Sequence, residues 1–383
     1  MSFYLTLKEV WRNRGRFFLF SLVIALITVL VLFIAGLAEG LATANREYLA
    51  KLDGELIVFQ EDVKLSTLTS RVGNDTLLKA RRIPGVLDVG PVGLSNTTLV
   101  MPVGEDLDIS LIGVQPGRPG GAPALTGRDL RSPRSFEAVI DASIARRSGL
   151  QVGNAIKIKS IQGTEEEYYD LEIVGISDGR QYFFQPSVFI PMQVWNRVRS
   201  QPASPDLNAE PAYNILVVRL ENPAAQAEMA GQIEAAVGEV EVVDRVTAYT
   251  ASPGYQAQQS TLNTQRGFTL LIGILVIGGF FQIQTLQKVP NIGMLKAVGA
   301  SNITVGSAVV LQIIIVTFFG VLLGALGTLL LSLGLPQDIP IRFTQTSMTA
   351  ALLSLLVIGP LGGLVSVRLA LRVEPLRALG LSA

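Results

Sequence analysis

Residues 17–38 read FFLFSLVIALITVLVLFIAGLA and contain no charged side chain. A helix of this length rises about 33 Å at 1.5 Å per residue, enough to cross the roughly 30 Å hydrocarbon layer of a bilayer. The run therefore predicts a first membrane span over residues 17–40. Lys8, Arg12, Arg14 and Arg16 precede it, against the single acid Glu9. By the positive-inside rule, this basic excess places the N-terminus in the cytoplasm.

The residues before the span form a helical pattern of their own. Phe3, Leu7, Val10 and Trp11 share one face of a helix, as expected for a segment lying in the cytoplasmic membrane interface over residues 1–16. A cleavable signal peptide is the alternative, because the small-x-small sequence 42–44 follows the apolar run. The run is longer than the 7–15 residues usual for a signal peptide, which favours a retained span.

Uncharged, mostly apolar runs recur in the last third of the chain, and basic residues flank them on one side. The predicted fold class is thus a four-helix membrane protein with a large extracytoplasmic α+β domain between helices 1 and 2, and with both termini in the cytoplasm. The predicted segments are an interfacial helix (1–16), span 1 (17–40), the extracytoplasmic domain (41–265), span 2 (266–287), a cytoplasmic loop (288–304), span 3 (305–333), an outer loop (334–343), span 4 (344–367) and a cytoplasmic tail (368–383).

The composition of the 383-residue chain excludes several classes of function. Charged residues make up 16% of it, and 31 basic residues balance 31 acidic ones, so no basic surface for nucleic acid is indicated. The sequence has no His and no Cys. This excludes Ser-His-Asp and Cys-His nucleophilic sites, thiol redox chemistry and zinc sites built from imidazole or thiolate. No metal site and no bound cofactor are predicted.

The extracytoplasmic domain is predicted to be split. Strand-helix-strand patterns at residues 55–89 and 213–243 flank shorter alternating stretches rich in Gly and Pro. The pattern predicts one α+β subdomain, built from residues 41–115 and 206–265, and a β-rich insert over residues 116–205.

The loop 288–301 reads KVPNIGMLKAVGAS and is the most informative motif. Pro290 can begin a short helix and Gly299 can end it. From spacing alone, this segment is equally a plain connector or a short amphipathic helix on the membrane surface. Its core, 292–300, resembles the pattern of the FtsX-like permease family of ABC transporters, the MacB type. Asn291 stands where that family usually has Glu.

Three other stretches support the resemblance: the basic entry 7–16, the segment 141–154 and the C-terminal segment 368–376. The resemblance implies a permease subunit without its own ATPase domain. No phosphate-binding loop of the form Gly-x-x-x-x-Gly-Lys-Ser/Thr occurs in the sequence, so ATP and Mg²⁺ are expected on a separate cytoplasmic ATPase dimer. The further partners implied are a second permease copy or paralogue, and a membrane-fusion adaptor or extracytoplasmic enzyme. The location implied is the prokaryotic inner membrane.

The expected site is the loop that couples the permease to the ATPase. Its predicted coupling residues are Asn291, Ile292, Gly293, Met294, Leu295, Lys296, Ala297 and Gly299. Small-residue pairs offer close helix contacts, and these candidate dimer contacts are Gly320 with Gly324, and Gly359 with Gly363.

Other polar and aromatic groups favour structural roles. Gln282, Gln284, Gln287 and Gln312 are interpreted chiefly as hydrogen-bonding groups between spans. The acidic run 165–167 with Asp170 is interpreted as a solvated face. The aromatic residues Tyr182, Phe183, Phe184, Phe189 and Trp195 are interpreted as packing, with an exposed patch for a partner as the alternative.

Three functions remain open from the sequence. The preferred one is a permease that turns ATP-driven closure of its partner into movement of the outer domain, exporting or extracting an amphiphile. The second is a transmitter that uses the same mechanics to regulate an outer enzyme or to sense a ligand, without transport. The third is a membrane-anchored enzyme with its site in the outer domain.

Overall fold

The computed structural model describes residues 14–101, 104–201, 212–252, 255–334 and 341–372. The predicted interfacial helix, apart from its last three residues, lies outside these ranges, as do most of the outer loop and residues 373–383 of the tail. The chain divides into two compact units. A membrane unit contains the start of the chain to Gly40 and everything from Ser260 onward, and an outer unit contains Leu41–Gln259.

Four helices in the described ranges are long and apolar enough to cross a membrane. They are α1 (Arg14–Ala50), α7 (Tyr255–Gln287), α9 (Asn302–Gly334) and α10 (Gln345–Leu371), with the short α8 (Val289–Ala297) between α7 and α9. The prediction of four spans, with the large domain between the first and second, is confirmed. Helices α1 and α7 extend beyond the predicted spans, because their polar ends continue the helix without contributing a hydropathy signal.

Glycines allow the helices of the membrane unit to approach closely. A Cβ atom on Gly320 would lie 2.6 Å from Cβ of Ile24, and one on Gly324 would lie 2.7 Å from the backbone oxygen of Ala25. Helix α9 therefore packs on α1 through a small-residue face. Helices α7 and α10 meet in the same way, since a Cβ on Gly278 would lie 2.8 Å from the oxygen of Gly362.

The outer unit is built on one ten-stranded sheet with the order β12-β1-β11-β3-β4-β9-β6-β8-β5, and β7 pairs with both β3 and β8. The strands in this sheet are β1 (Leu56–Gln60), β3 (Val86–Val100), β4 (Leu107–Val114), β5 (Ala124–Gly127), β6 (Glu137–Asp141), β7 (Ala155–Gln162), β8 (Glu165–Ser177), β9 (Ser187–Pro191), β11 (Ile215–Leu220) and β12 (Val240–Asp244). A second small sheet pairs β2 (Val72–Gly73) with β10 (Ala212–Tyr213). The helices in this unit are α2 (Asn74–Ala80), α3 (Ala142–Ser148), α4 (Met192–Val198), α5 (Gln226–Val237) and α6 (Arg245–Ala251), with a 3₁₀ turn at Pro223–Ala225.

Strand alternation separates the cores of this unit. Along β1, Leu56 and Val58 face the core that α2 and α5 cover, whereas Ile57 and Phe59 face the opposite core. The end of α1 packs in that opposite core through Tyr48 and other buried side chains.

A third core lies in the β-rich part of the outer unit. It contains Leu99, Ile109 and Leu111 together with Trp195 of α4. The predicted insert boundary at residue 116 thus differs from the packing, since the hairpin β3–β4 already contributes to the insert's core. The reason is the length of β3: its fifteen residues span about 50 Å, so the strand contributes residues to both the α+β part and the β-rich part of the sheet.

Candidate functional site

The local structure of α8 follows from its sequence. Pro290 lies in the first helical turn, where its missing N–H costs no hydrogen bond. The helix ends at Ala297, and Gly299, the residue after the C-cap Val298, has a φ of +99°. Gly299 N–H donates to Lys296 O at 3.0 Å, and Ala300 N–H donates to Leu295 O at 3.0 Å. This is the Schellman pattern, so the chain direction after α8 is fixed by its own hydrogen bonds.

The next helix begins immediately afterwards. Ser301 precedes α9, and its Oγ accepts a hydrogen bond of 3.2 Å from Thr304 N–H, which satisfies one free donor of the first turn. A capped helix end at Ala297 is therefore followed closely by a capped helix start at Asn302, with Ser301 as the cap. The loop is a defined corner between two helices.

One side of α8 is held against the membrane helices. Ile292 is buried in a small cluster with Val305 of α9 and Ala370 of α10. Lys296 Nζ donates to the backbone oxygen of Leu371 at 2.8 Å, near the C-terminus of α10, where a cation is favourable. Helix α8 is therefore held against the start of α9 and the end of α10.

The start of α8 is fixed as well. Lys288 Nζ donates to Oε1 of Gln312 at 3.0 Å and lies 5.6 Å from the centre of the Phe17 ring. Gln312 therefore bonds the start of α8 and not a neighbouring span. These contacts bring the beginning of α1, the beginning of α8 and the first third of α9 together at one end of the bundle.

The other side of α8 is apolar and exposed. Met294 is 56% exposed, Leu295 49% and Val298, at the end of the helix, 86%, while Ile303 at the start of α9 is 83% exposed. We call these four residues the α8 apolar face. An exposed cluster of large apolar side chains of this kind marks an interaction surface.

The structure separates the predicted coupling residues into three groups. Asn291, Met294, Leu295, Ala297 and Gly299 are exposed, Lys296 is half-buried, and Ile292 and Gly293 are buried. The buried pair holds α8 in place, and only the exposed group can touch a partner. Sequence reasoning missed Ile303, which comes two residues after the cap Ser301 in the first turn of α9.

The glycines predicted to face a second copy lie inside the chain's own bundle. Gly320 and Gly324 pack on α1, as described above. A Cβ on Gly359 would lie 2.6 Å from Cγ2 of Thr317, and one on Gly363 would lie 3.2 Å from Cγ1 of Ile313. All four small-residue surfaces are thus occupied by neighbouring helices of the same chain.

The acidic run on β8 makes ordinary surface contacts. Glu166 forms a 2.6 Å ion pair with Lys159, and Tyr169 donates to Glu167 at 2.5 Å. The hydrogen bond from Lys159 is the main cause of the lowered pKa of Glu166. In the ranges that the structure describes, no group of three or more acidic side chains is arranged to hold a metal ion.

The end of α1 is tied to the segment 178–185 of the outer unit. Lys51 Nζ lies 2.9 Å from Glu47 and 3.0 Å from Asp178, and Arg180 Nη1 donates to Lys51 O at 2.7 Å. Burial raises the pKa of Asp178, but hydrogen bonds from Arg180 and Lys51 outweigh it, so this pKa lies below its usual value. The last turns of α1, which belong to the outer unit, are therefore held by a charged network of that unit.

Comparison with known proteins gives two family matches. Residues 17–236, more than half of the chain, match the MacB-like periplasmic core domain, and residues 267–375 match the FtsX-like permease C-terminal domain. A protein of Staphylococcus haemolyticus, whose name describes it as the permease protein HrtB of a hemin transport system, is 25% identical over 97% of this chain and 98% of its own length. The protein of the same name from Staphylococcus epidermidis is 24% identical over 97% of this chain and 98% of its own length.

Among solved structures, the periplasmic region of MacB from Actinobacillus actinomycetemcomitans aligns with 51% of this chain and 90% of its own length, at 11% identity and a TM-score of 0.36. The family assignment rests on the two domain matches and on the curated relatives. They confirm the resemblance seen in the loop 288–301. With four membrane-spanning helices and both family domains in the expected order, the chain belongs to the FtsX-like, MacB-type permeases and is a multi-pass permease subunit of an ABC transporter.

Proposed function

We propose that this permease couples ATP hydrolysis by a separate cytoplasmic ATPase dimer to movement of its outer domain, and that it thereby exports or extracts an amphiphile. The observation that carries the proposal is the α8 apolar face. Two of its residues, Met294 and Leu295, lie on a short helix that is held against both α9 and α10, so a force applied to α8 would reach two spans at once.

The size of the face suits a docking contact. Fully burying one large aliphatic side chain contributes about 1.5–3 kcal/mol, and each of these four side chains is about half exposed or more. Asn291 is also exposed and can contribute a hydrogen bond without charge. ATP and Mg²⁺ would be held by the ATPase, and this chain would bind neither.

Basic residues support a cytoplasmic position for α8. The bundle end that holds α8 carries Arg14, Lys288, Lys296, Arg368 and Arg372. The contacts of Lys288 with Phe17 and of Lys296 with Leu371 place the first and last described helix ends there too. By the positive-inside rule, this end would face the cytoplasm of a prokaryotic cell, with both termini on that side.

The curated relatives support an amphiphilic substrate. Their names assign them to hemin transport, and hemin combines a flat apolar ring with two carboxylates. We propose a substrate of this class for the present permease. A second copy or a paralogue would complete the membrane part, and an adaptor or outer enzyme would be a further partner.

The transmitter remains the second candidate, because α1 runs without interruption from Arg14 to Ala50. Its last residues are buried in the outer core, so movement of α1 would reach the outer sheet even without a substrate. Hemin efflux from loaded proteoliposomes separates the two candidates. Transport requires ATP-dependent loss of hemin, whereas a transmitter would hydrolyse ATP without moving it.

Val298→Asp tests the docking role. The side chain is 86% exposed, so the charge should leave folding intact and still disrupt an apolar contact. We expect substrate-stimulated ATPase activity of the complex to fall at least tenfold, with unchanged expression and thermal stability. The matched control is Ile161→Asp, at a 53% exposed position on β7. Full activity of Val298→Asp, or an equal loss in the control, would count against docking through α8.

A further inference from the structure

A two-residue turn in the outer unit has an unusual sequence. Tyr182 N–H donates to Gln185 O and Gln185 N–H donates to Tyr182 O, both at 3.0 Å, and the two residues form an isolated antiparallel bridge. The residues between them are Phe183, with a φ of +50°, and Phe184, with a φ of +67°. Positive φ at both central positions is the mark of a type I′ turn.

Phenylalanine is a poor choice for such a turn. The left-handed region is unfavourable for residues with a bulky side chain, and type I′ turns favour Asn-Gly. Yet Phe183 is 39% exposed and Phe184 45%, so neither side chain obtains the burial that could offset this cost. Strained backbone that carries exposed aromatic rings indicates a role outside the folded domain itself.

The turn is firmly fixed from behind. Tyr182 is buried, its backbone oxygen accepts a hydrogen bond of 3.0 Å from Ser110 Oγ, and its hydroxyl is hydrogen-bonded to Thr67. Its ring packs at 5.9 Å from that of Tyr48 on α1. The two phenylalanines therefore project from a rigid base.

Helix α1 gives the length of helix between the apolar run and the residue that bonds this turn. Phe184 N–H donates to Ala44 O at 3.2 Å, and Tyr48 N–H donates to Gln181 O at 3.1 Å. Ala44 follows Glu39, the first charged residue after the apolar run, by five residues, or about 7.5 Å of helix. The lipid headgroup layer on each side of a bilayer is about 5–7.5 Å thick. Measured along this continuous helix, the residue that bonds the turn therefore follows the apolar run by about the thickness of one headgroup layer.

We propose that Phe183 and Phe184 form a membrane-interface anchor that inserts into the headgroup layer of the leaflet on the side of the outer domain. Aromatic and apolar side chains at this depth lose contact with water and gain contact with the upper acyl chains. The anchor would hold the segment 178–185, and with it the charged network around Lys51, at a fixed height above the bilayer.

The absence of cysteine from the sequence permits a direct test. The full chain carrying Phe183→Cys is labelled with a nitroxide and reconstituted in nanodiscs of phosphatidylcholine and phosphatidylglycerol. Power saturation then compares collisions with oxygen, which concentrates in lipid, and with a water-soluble nickel chelate. The control is Leu125→Cys on β5, at a position 73% exposed in the same domain.

We expect the oxygen-to-nickel accessibility ratio at position 183 to exceed that at position 125 several-fold. Equal ratios would place the turn in water and overturn the proposal. Low accessibility to both reagents would show that protein covers the turn, a second copy for example, and would overturn it equally.

A second variant keeps the aromatic character of the turn. Phe184→Trp in the full chain should add fluorescence relative to the parent chain in the same nanodiscs. Lipids that are brominated near the glycerol end of their acyl chains should quench this added fluorescence. Added fluorescence that these lipids leave unchanged would refute insertion even if the cysteine variant failed to fold.

Discussion

Gly324→Ala tests whether the small-residue face of α9 packs within the chain. The new Cβ would lie 2.7 Å from the backbone oxygen of Ala25 and would overlap Cβ of Thr28, so α1 and α9 must separate. Overpacking of this kind costs about 1–3 kcal/mol. The gain in helix propensity from Gly to Ala is at most about 1 kcal/mol and does not offset the upper part of that range.

Gly279→Ala is the matched control, because the same change on α7 meets nothing within 4 Å. It should leave the bundle equally stable or stabilise it by up to about 1 kcal/mol. Unfolding by SDS, followed by helix content in far-UV circular dichroism, measures both variants. We expect a gap of about 2 kcal/mol between them, in the middle of the range for overpacking. Equal stability, with a change only in oligomeric state, would refute packing within the chain and favour a contact between copies.

Three further predictions concern the outer domain. Arg128 makes a bidentate contact of 2.8 and 3.0 Å with Glu137, and this hydrogen bonding lowers the pKa of Glu137. The stability that this ion pair contributes should be complete above the ordinary glutamate pKa of about 4.3. It should be lost as the pH falls through the lower pKa that Glu137 has in the folded protein. Glu137→Gln should therefore lower the Tm at pH 7 and leave it unchanged at a pH below the pKa of Glu137 in the folded protein. A Tm difference that does not depend on pH would contradict this prediction. The side chain of Asn214 is buried, accepts a hydrogen bond of 2.7 Å from Leu94 N–H and donates one of 2.9 Å to Thr67 O. Asn214→Ala should therefore lower the free energy of unfolding by about 1–3 kcal/mol for each backbone group that is left unsatisfied. A urea titration compares this variant with Asn222→Ala, at an exposed cap, which should cost about 1 kcal/mol or less. Equal losses would show that the burial of Asn214 adds nothing to the cost. Replacing Phe183-Phe184 by Asn-Gly should raise the free energy of unfolding of the outer domain, in the detergent-solubilised protein, by about 1–2 kcal/mol per relieved residue. A lower free energy of unfolding would show that the turn is not strained.

The sequence was sufficient to predict the membrane layout, because an uncharged apolar run of about 20 residues is typical of a membrane-spanning helix. It could not predict that α1 continues to Ala50, since residues beyond Glu39 lack a hydropathy signal. Nor could it assign the glycine faces, because Gly-x-x-x-Gly looks the same whether the partner helix belongs to the same chain or to another.

For the candidate site, the motif located α8 but not its orientation. The period of the helix does not say whether Ile292 or Leu295 turns inward, and the structure buries the first and exposes the second. The strained turn at Phe183 was not foreseen either, because Phe-Phe is not a turn signal. Only the backbone angles identify it.

The central claim is that α8 contacts a separate ATPase. The chain has no native cysteine, so Val298→Cys can be labelled with a benzophenone maleimide and irradiated in native membranes. Val246→Cys, at a 56% exposed position of the outer domain, is the control. We expect position 298, and not position 246, to be cross-linked to a protein with a nucleotide-binding phosphate loop, as identified by mass spectrometry. If an ATPase co-purifies with the permease but is not captured from position 298, or is captured equally from both positions, α8 is not the contact with the ATPase.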